Sequence, residues 1–220
     1  MILEEVIYDE GEVEIEEISN IKEPEYHGPE KSKENSYNNG NRFRKPFTPN
    51  EPSVKTIFTD GGSKAYNLPE GKHWVGAWAF YDEDTKEIFG EAADNATNNQ
   101  MELTAVLETL KYLDRLGVGK ENWVTIKLDS DYVRFGILFW IKKWIKNGWK
   151  RINRDGSVEE VKNRDLWEQI YELASSRKIF WVHVPGHSGV EGNEVVDSKC
   201  GQLIREFADN NDITSRVLGK

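Results

Sequence analysis

The order of apolar patterns beyond residue 53 constrains the fold of this chain more than any other feature. Three segments of strand character come first, at about 54–60, 73–82 and 86–93. Helical and strand-like patterns then alternate. Consecutive strands favour antiparallel pairing, whereas strands separated by helices favour parallel pairing. The order therefore predicts an α/β fold: a five-stranded mixed sheet, three antiparallel strands followed by parallel ones, with helices on both faces.

The helices and the later strands follow from the spacing of apolar side chains. Between residues 103 and 113 these recur at i, i+3, i+4 and i+7, which is typical of an amphipathic helix, and Thr97, Asn98 or Asn99 can cap its start. This places Glu102 in the first helical turn. The remaining elements are predicted as a strand at 123–128, a helical stretch through 132–140, a helix at about 164–176, a strand at 178–184 and a helix at about 191–209.

Four acidic residues, Asp60, Glu102, Asp129 and Asp197, stand where predicted strands end or predicted helices begin. A fold that gathers these ends also gathers the carboxylates. Like charges ~4 Å apart repel by ~4 kcal/mol at the effective dielectric of a protein surface, so such a cluster indicates bound cations. Each acid taken alone is equally typical of a helix cap or of a partner for the helix dipole.

An all-oxygen ligand set favours magnesium over zinc, which prefers His and Cys. Two Mg²⁺ ions about 3.5–4 Å apart can activate a water on one side of a phosphorus and stabilise the leaving oxygen on the other. At least one carboxylate must then bridge both ions. The sequence therefore predicts a site for two Mg²⁺ ions, with Mn²⁺ as a substitute.

The net charge of -10 resides at the start of the chain. Residues 1–30 hold eleven acidic side chains and one Lys, a net of 1 - 11 = -10, and the rest is balanced at 28 basic against 28 acidic. Residues 140–164 hold eight basic and three acidic side chains, interleaved with Trp140, Trp144 and Trp149. Such a surface is typical of nucleic-acid binding, and a solvated basic face with its tryptophans in the core is the alternative.

Composition divides the chain into four segments. Residues 1–18 alternate apolar and acidic side chains, as in a short hairpin; residues 19–53 resemble a flexible linker; residues 54–209 form the compact domain; and residues 210–220 are expected to be a C-terminal tail. No run approaches the ~18 apolar residues of a membrane span, and the start lacks an export-signal pattern, so we expect an intracellular, cytoplasmic protein without membrane contact. The single cysteine, Cys200, is given no chemical role.

Five blocks of this sequence resemble type 1 ribonuclease H, in the order of that family, over residues 54 to about 208. They are Thr59-Asp60-Gly61-Gly62-Ser63, Thr97-Asn98-Asn99-Gln100-Met101-Glu102-Leu103, Leu128-Asp129-Ser130-Asp131-Tyr132-Val133, Lys162-Asn163-Arg164-Asp165-Leu166-Trp167, and Val184-Pro185-Gly186-His187-Ser188-Gly189 with Gly192-Asn193-Glu194-Val195-Val196-Asp197.

The resemblance implies an endonuclease that cleaves the RNA strand of RNA–DNA hybrids and leaves 5'-phosphate and 3'-hydroxyl ends. It implies that Asp60 bridges the two metal ions and that Asp197 completes the site of the ion that activates water. Glu102 and Asp129 would hold the ion that faces the leaving 3' oxygen. His187 would assist proton transfer or product release, a task for which the pKa of histidine is suited.

The resemblance also implies a substrate surface. The main chain of residues 61–63 would approach the sugars, Asn98 and Asn99 would lie in the minor groove, and Thr97 with Asn163 would grip a phosphate of the DNA strand. Residues 142–151 resemble the basic protrusion with which the family clasps the hybrid. The expected contacts are Gly61, Gly62, Ser63, Thr97, Asn98, Asn99, Asn163, Lys142, Lys143, Trp144, Lys146, Trp149, Lys150 and Asn193.

Three other hypotheses about the function of this chain remain open at this point. A junction resolvase or integrase would share the clustered acids but not the signals for a hybrid at residues 61–62 and 98–99. A binding module with a decayed site is disfavoured because all four acids and His187 are present. A detached piece of a reverse transcriptase is the third.

The acidic segment at the start of the chain would contact a protein partner, fold back on the basic stretch or serve solubility alone. The protein is expected to act as a monomer.

Overall fold

A computed structural model describes residues 53–153 and 156–217 with their side chains, and the backbone of residues 4–7. Most of the hairpin predicted at 1–18 and nearly all of the linker predicted at 19–53 lie outside the described residues. The strands are β1 (Glu4–Ile7), β2 (Lys55–Leu68), β3 (Gly71–Asp82), β4 (Ile88–Asp94), β5 (Val124–Leu128), β6 (Lys150–Ile152), β7 (Val158–Glu160) and β8 (Ile179–His183).

The main sheet has the strand order β1-β8-β5-β2-β3-β4. Strands β2, β3 and β4 form the predicted antiparallel meander, and β5 runs parallel to both β2 and β8. The predicted five-stranded mixed sheet is thus confirmed. β1 adds a sixth strand, antiparallel to β8 at the sheet edge, so part of the segment predicted as a hairpin pairs with the domain. Strands β6 and β7 form a separate two-stranded hairpin.

The helices lie on both faces of this sheet, as predicted. They are α1 (Asn98–Arg115), α2 (Asp131–Phe135), a π-helical turn (Gly136–Trp140), α3 (Ile141–Lys146), α4 (Arg164–Ala174), α5 (Glu191–Asn210) and a 3-10 turn (Thr214–Arg216). Among the described residues, no helix combines the length and the apolar character that crossing a membrane requires.

Alternation along β2 divides the core into two layers. Ile57 belongs to the layer beneath α1 and α4, whereas the next residue, Phe58, belongs to the layer beneath α5. Both side chains are fully buried. The sheet is therefore covered on both faces, and the ends of its strands are where polar side chains can gather.

Parallel pairing aligns the strand ends that carry the acids. Thr59 on β2 pairs with Leu128 on β5, and Leu128 pairs with His183 on β8. The residues that follow, Asp60 and Asp129, are therefore neighbours at one end of the sheet.

Two predicted boundaries were wrong. A loop was expected after Asp60, but β2 continues to Leu68 and makes a long hairpin with β3. The expected tail from residue 210 also packs on the domain, since Ile213 is only 3% exposed and Arg216 forms an ion pair with Glu70. Both departures come from tertiary contacts that local spacing does not encode.

Candidate active site

Four carboxylates meet in one cleft at the end of the sheet. The cleft has a volume of about 390 Å³, and its lining combines the middle of β2 and the residue after β5 with one side each of α1 and α5. The four predicted acids line it together with Gly61, Gly62, Ser63, Asn98, Cys200, Gly201 and Ile204. The structure therefore brings together Asp60, Glu102, Asp129 and Asp197, as the sequence predicted.

The buried acids resist ionisation. Burial, with the nearby charges of Asp129 and Asp197, raises the pKa of Asp60 from 3.8 to about 6. Burial, with the charges of Asp129 and Asp60, raises the pKa of Glu102 from 4.5 to about 8, although a hydrogen bond from Ser130 acts in the opposite direction. The pKa of Asp129 is also raised, mainly by burial. Full ionisation near neutral pH therefore needs compensating positive charge.

Neighbouring side chains fix both oxygens of Glu102. Asn98 Nδ2 donates to Glu102 Oε1 at 2.6 Å, and Ser130 Oγ donates to Glu102 Oε2. The same Ser130 oxygen accepts a hydrogen bond from Val133 N at 3.3 Å and so caps α2. Ser130 was not among the predicted site residues, although its position directly after Asp129 was a usable signal.

The start of α1 is a capping box. Thr97 Oγ1 accepts from Gln100 N at 3.4 Å, and Gln100 Oε1 accepts from Thr97 N at 2.9 Å. The capping role considered for Thr97 is thus confirmed, and its phosphate contact stays a prediction. Glu102 is the fifth residue of α1 and so lies just beyond the first turn, in which it was predicted. Asn98 is exposed and Asn99 is half-buried.

Gly61 lets α1 lie directly against β2. A Cβ built on Gly61 would stand 2.1 Å from the backbone nitrogen of Glu102, which no side chain tolerates. At Gly62 the nearest atom, Ile204 Cδ1, would be 3.8 Å away. Gly61 therefore sets the distance between β2 and α1, whereas Gly62 and the half-buried Ser63 border the cleft.

One histidine stands at the rim of the cleft. His187, Glu194 and Asp197 place one potential ligand atom each within 4.8 Å of one another. His187 is exposed in the loop before α5 and has a left-handed backbone, with φ of 54°. Glu194 was missed by the sequence prediction, although it precedes Asp197 by three residues and therefore shares its helix face.

A second histidine was also missed. His183 ends β8 beside Asp129, and its charge opposes the rise in the pKa of that carboxyl. Its Nε2 lies 3.8 Å from Asp131 Oδ1.

Two predicted substrate contacts are wrong because their side chains are buried. Asn193, in the first turn of α5, is 3% exposed, and its neighbour Gly192 lies against the ring of Phe58. Trp149 is 7% exposed within the main core, and the guanidinium of Arg164 lies 5.6 Å from its ring centre. Neither side chain presents a surface to a ligand.

The predicted basic stretch is exposed on α3, and its contact with nucleic acid stays a prediction. Lys142, Lys143 and Lys146 are exposed, while Trp144 is half-buried and packs edge-on against Trp167, with 5.4 Å between ring centres. Lys150 is exposed too, but in the β6–β7 hairpin it stands opposite Glu160.

The remaining predicted contact lies at the start of α4. Asn163 precedes α4 in the left-handed region, with φ of 57°, and its side chain makes no capping hydrogen bond. The side chain is therefore not committed to the helix, and its contact with a phosphate stays a prediction.

Comparison with known proteins places this geometry in a family. The family model for RNase H matches residues 52–205. The chain is 39% identical over 166 residues to the ribonuclease H of Orientia tsutsugamushi (strain Boryong), which covers 74% of this chain and 90% of that protein. It is 43% identical over 150 residues to the ribonuclease H of Rickettsia bellii (strain RML369-C), covering 68% of this chain and 88% of that one.

Two solved structures share the fold. LC9-RNase H1, a type 1 RNase H with the type 2 active-site motif, has a TM-score of 0.51 at 19% identity, over 72% of this chain and 75% of that chain. A foamy viral protease-reverse transcriptase in complex with dsDNA has a TM-score of 0.57 at 21% identity, over 72% of this chain and 98% of that chain. At these identities the likeness establishes the fold alone.

Proposed function

The chain belongs to the ribonuclease H family and cleaves the RNA strand of RNA–DNA hybrids, and we propose that it does so by two-metal-ion catalysis in the cleft of the four carboxylates. The products would carry 5'-phosphate and 3'-hydroxyl ends. The observation that supports this mechanism is the convergence of Asp60, Glu102, Asp129 and Asp197 from separate elements into one cleft.

The donor set fits a pair of hard divalent cations. All four side chains offer oxygen, which Mg²⁺ prefers. The pKa values of Asp60, Glu102 and Asp129 are raised, first by burial and then by neighbouring carboxylates, and bound cations would offset both effects. Cys200 does not compete as a soft ligand, because burial raises the pKa of its thiol and keeps it neutral. When bound, the two ions would supply Lewis-acid activation of water and stabilisation of the leaving oxygen.

The electrostatic neighbours of each acid support its proposed role. Asp60 interacts with both Asp129 and Asp197, as a carboxylate between two cation positions must. Asp197 stands with His187 and Glu194 on the side where water would be activated. Glu102 interacts with both Asp129 and Asp60, and together with Asp129 it would hold the ion that faces the leaving 3' oxygen.

His187 is placed to exchange protons with solvent. Its side chain is exposed and lies next to Asp197, so it can accept a proton from the reacting water or help to release the product.

Selectivity for RNA requires a contact with the 2'-hydroxyl, which is both a donor and an acceptor. The amide nitrogen of Asn98 donates a hydrogen bond to Glu102. The amide oxygen of Asn98 could then accept a hydrogen bond from the 2'-hydroxyl. Ser63 and the backbone at Gly62 border the same cleft and would contact the sugars. The exposed lysines of α3 would neutralise phosphates farther along the duplex.

Matched labelled RNA–DNA, RNA–RNA and DNA–DNA duplexes in Mg²⁺ test this function. Wild-type protein should cut only the RNA of the hybrid, and Asp60→Asn should abolish cutting. Asp209→Asn, an exposed change on the same helix as Asp197 but at its far end, should cut normally. Cutting of DNA, or an active Asp60→Asn protein, would contradict the proposal.

A further inference from the structure

The β2–β3 hairpin carries an exposed tryptophan beside the cleft. Trp74 on β3 is 42% exposed, although large apolar side chains of this sheet are otherwise mostly buried. We infer that Trp74 is a substrate-binding residue that extends the hybrid-binding surface from the cleft along the hairpin. This inference rests on the proposed function of the cleft.

The register of the hairpin fixes the face on which Trp74 stands. Ser63 pairs with Gly76, and Ala65 pairs with Trp74. Residues opposite one another in an antiparallel pair share a face, and so do alternate residues of one strand. Trp74 therefore lies on the same face as Gly61 and Ser63, two residues that line the cleft.

Helix α1 covers this face as far as the Ser63–Gly76 pair and stops short of the Ala65–Trp74 pair. A Cβ on Gly76 would lie 2.7 Å from Met101 Cγ, so the first turn of α1 lies directly over that position. Trp74 is two residues farther along β3, about 6.5 Å away, and its carbonyl oxygen accepts from Asn95 N at 2.7 Å. The ring thus stands just beyond the start of α1, at the end of the helix that carries Asn98.

The chemistry of this surface favours nucleic acid as its occupant. The face is continuous with the cleft that receives the scissile strand. Successive nucleotides of one strand rise about 3.4 Å along the axis of a duplex. A duplex whose axis follows the hairpin would therefore place near Trp74 a sugar about two nucleotides from the one at Ser63. Aromatic faces pack well on sugars and bases. Lys72, exposed on the same face two residues beyond Trp74, adds a cation for the phosphate backbone.

Kinetics and binding of three variants test the inference. Trp74→Ala removes the ring, Trp74→Phe keeps an aromatic face, and Leu116→Ala removes an equally exposed apolar side chain (48%) at the opposite end of α1. The constants KM and kcat are measured on an RNA–DNA hybrid. Kd is measured by fluorescence anisotropy with the same changes in an Asp60→Asn background, so that the substrate stays intact.

Trp74→Ala should raise KM and Kd about ten-fold, the effect of losing a partly buried aromatic contact, and should leave kcat within about two-fold. Trp74→Phe should recover most of the affinity, and Leu116→Ala should bind as the parent does. Because the contact is apolar, the ratio of Kd values should be the same at about 50 mM and about 300 mM KCl, unlike that of a phosphate contact. Thermal midpoints should be unchanged, because an exposed ring adds little to stability.

Two results would overturn the inference: Trp74→Ala with the parent Kd, or Trp74→Ala and Leu116→Ala with equal losses. A failure of the two-metal proposal can be told apart from a failure of this inference. It would appear as cleavage of the hybrid by Asp60→Asn, and that result does not depend on the Kd of Trp74→Ala.

Discussion

Both oxygens of Glu102 are fixed by neighbours before any cation is considered. Asn98 and Ser130 each donate to one oxygen, and Ser130 is itself held by the backbone of α2. A ligand whose orientation is set in advance loses less conformational freedom on binding a metal ion. Ser130 therefore joins two functions, the cap of α2 and the orientation of a proposed metal ligand.

Ser130→Ala should weaken the response to Mg²⁺. Loss of a hydrogen bond to a charged group costs about 1.5–3 kcal/mol, so the Mg²⁺ concentration for half-maximal rate should rise several-fold or more. Loss of the cap should also lower the free energy of unfolding by about 1 kcal/mol. Mg²⁺ titrations of rate, Mg²⁺ binding by calorimetry and urea unfolding measure these effects separately.

Ser130→Thr is the matched control, because it keeps the hydroxyl that both caps and donates. It should stay close to wild type in both measurements. If Ser130→Ala lowered stability but left half-saturation by Mg²⁺ unchanged, the hydroxyl would serve the helix alone.

At the level of elements, the contact between β2 and α1 sets the width of the cleft. Gly61 is buried against the backbone of residues 101–102, and Asp60 and Glu102 are the adjacent acids on the two elements. A side chain at position 61 would separate them. Gly62, one residue on, faces α5 with ordinary van der Waals room.

Gly61→Ala should therefore destabilise the protein and impair catalysis, whereas Gly62→Ala should be tolerated in stability. Overpacking costs about 1–3 kcal/mol, and contact with backbone, which cannot rotate away, places the change at the upper end of that range. Urea unfolding and kcat of both variants test this. Equal stabilities of the two variants would contradict the close approach of α1.

Helix α3 presents the exposed lysines of the basic stretch. The double change Lys143→Glu and Lys146→Glu should raise KM more than it lowers kcat, because it removes phosphate contacts away from the acids. The effect should shrink as salt rises. Steady-state kinetics at several KCl concentrations measure it.

The charge-matched control for α3 is Arg115→Glu with Lys120→Glu, two exposed cations at the far end of α1. It should change KM little. A loss of kcat that is equal at every salt concentration would remove α3 from the substrate surface.

Periodicity predicted the elements whose cause is local. The strand predicted at 123–128 is observed at Val124–Leu128, and the helix predicted at 191–209 is observed at Glu191–Asn210. Non-local contacts decided the rest. Trp149 has basic neighbours in sequence yet is buried through packing with the core, and β2 extends through two glycines because α1 lies against one of them.

The candidate site, like the fold, was predictable where local sequence carried the signal and not where contacts between distant residues decided. The four acids stand at the ends of predicted elements, and parallel pairing of β2 and β5 sets Asp60 beside Asp129 even though β2 continues to Leu68. Glu194 was missed despite a local signal, its position one helical turn before Asp197. Ser130 and His183 were missed because their importance depends on distances across elements, such as the contact between Ser130 and Glu102. A residue type at a given position does not reveal such a partner.

At the scale of the whole molecule, the edges of the sheet differ. Strand β8 is an apolar segment in which residues 179–182 are all buried, and β1 from the acidic part of the chain pairs along it. Unpaired edges of apolar strands promote aggregation. At least part of the acidic segment therefore covers the β8 edge of the sheet. This structural role adds to the three considered above, which were binding a protein partner, folding back on the basic stretch and solubility.

The raised pKa values couple the stability of the whole fold to pH. In metal-free protein, Asp60 and Glu102 have pKa values of about 6 and about 8, against ordinary values of 3.8 and 4.5. Between the ordinary and the raised pKa of each group, the native state binds more protons than the unfolded state. The free energy of unfolding therefore falls as pH rises through this range. The stabilisation is complete below pH of about 4 and is lost as the pH rises through about 6 and then about 8.

Urea unfolding in EDTA at pH 5, 7 and 9 should therefore show decreasing stability. Saturating Mg²⁺ should reverse the trend at pH 7 and 9, because binding to the native state alone adds stability. Glu102→Gln should flatten the dependence in EDTA above pH 6, since this side chain no longer ionises, and it should weaken the gain from Mg²⁺. Metal-free stability that stays level or rises from pH 5 to pH 9 would show that burial and neighbouring charge do not raise the pKa values of Asp60 and Glu102, and this argument for cations in the cleft would be lost.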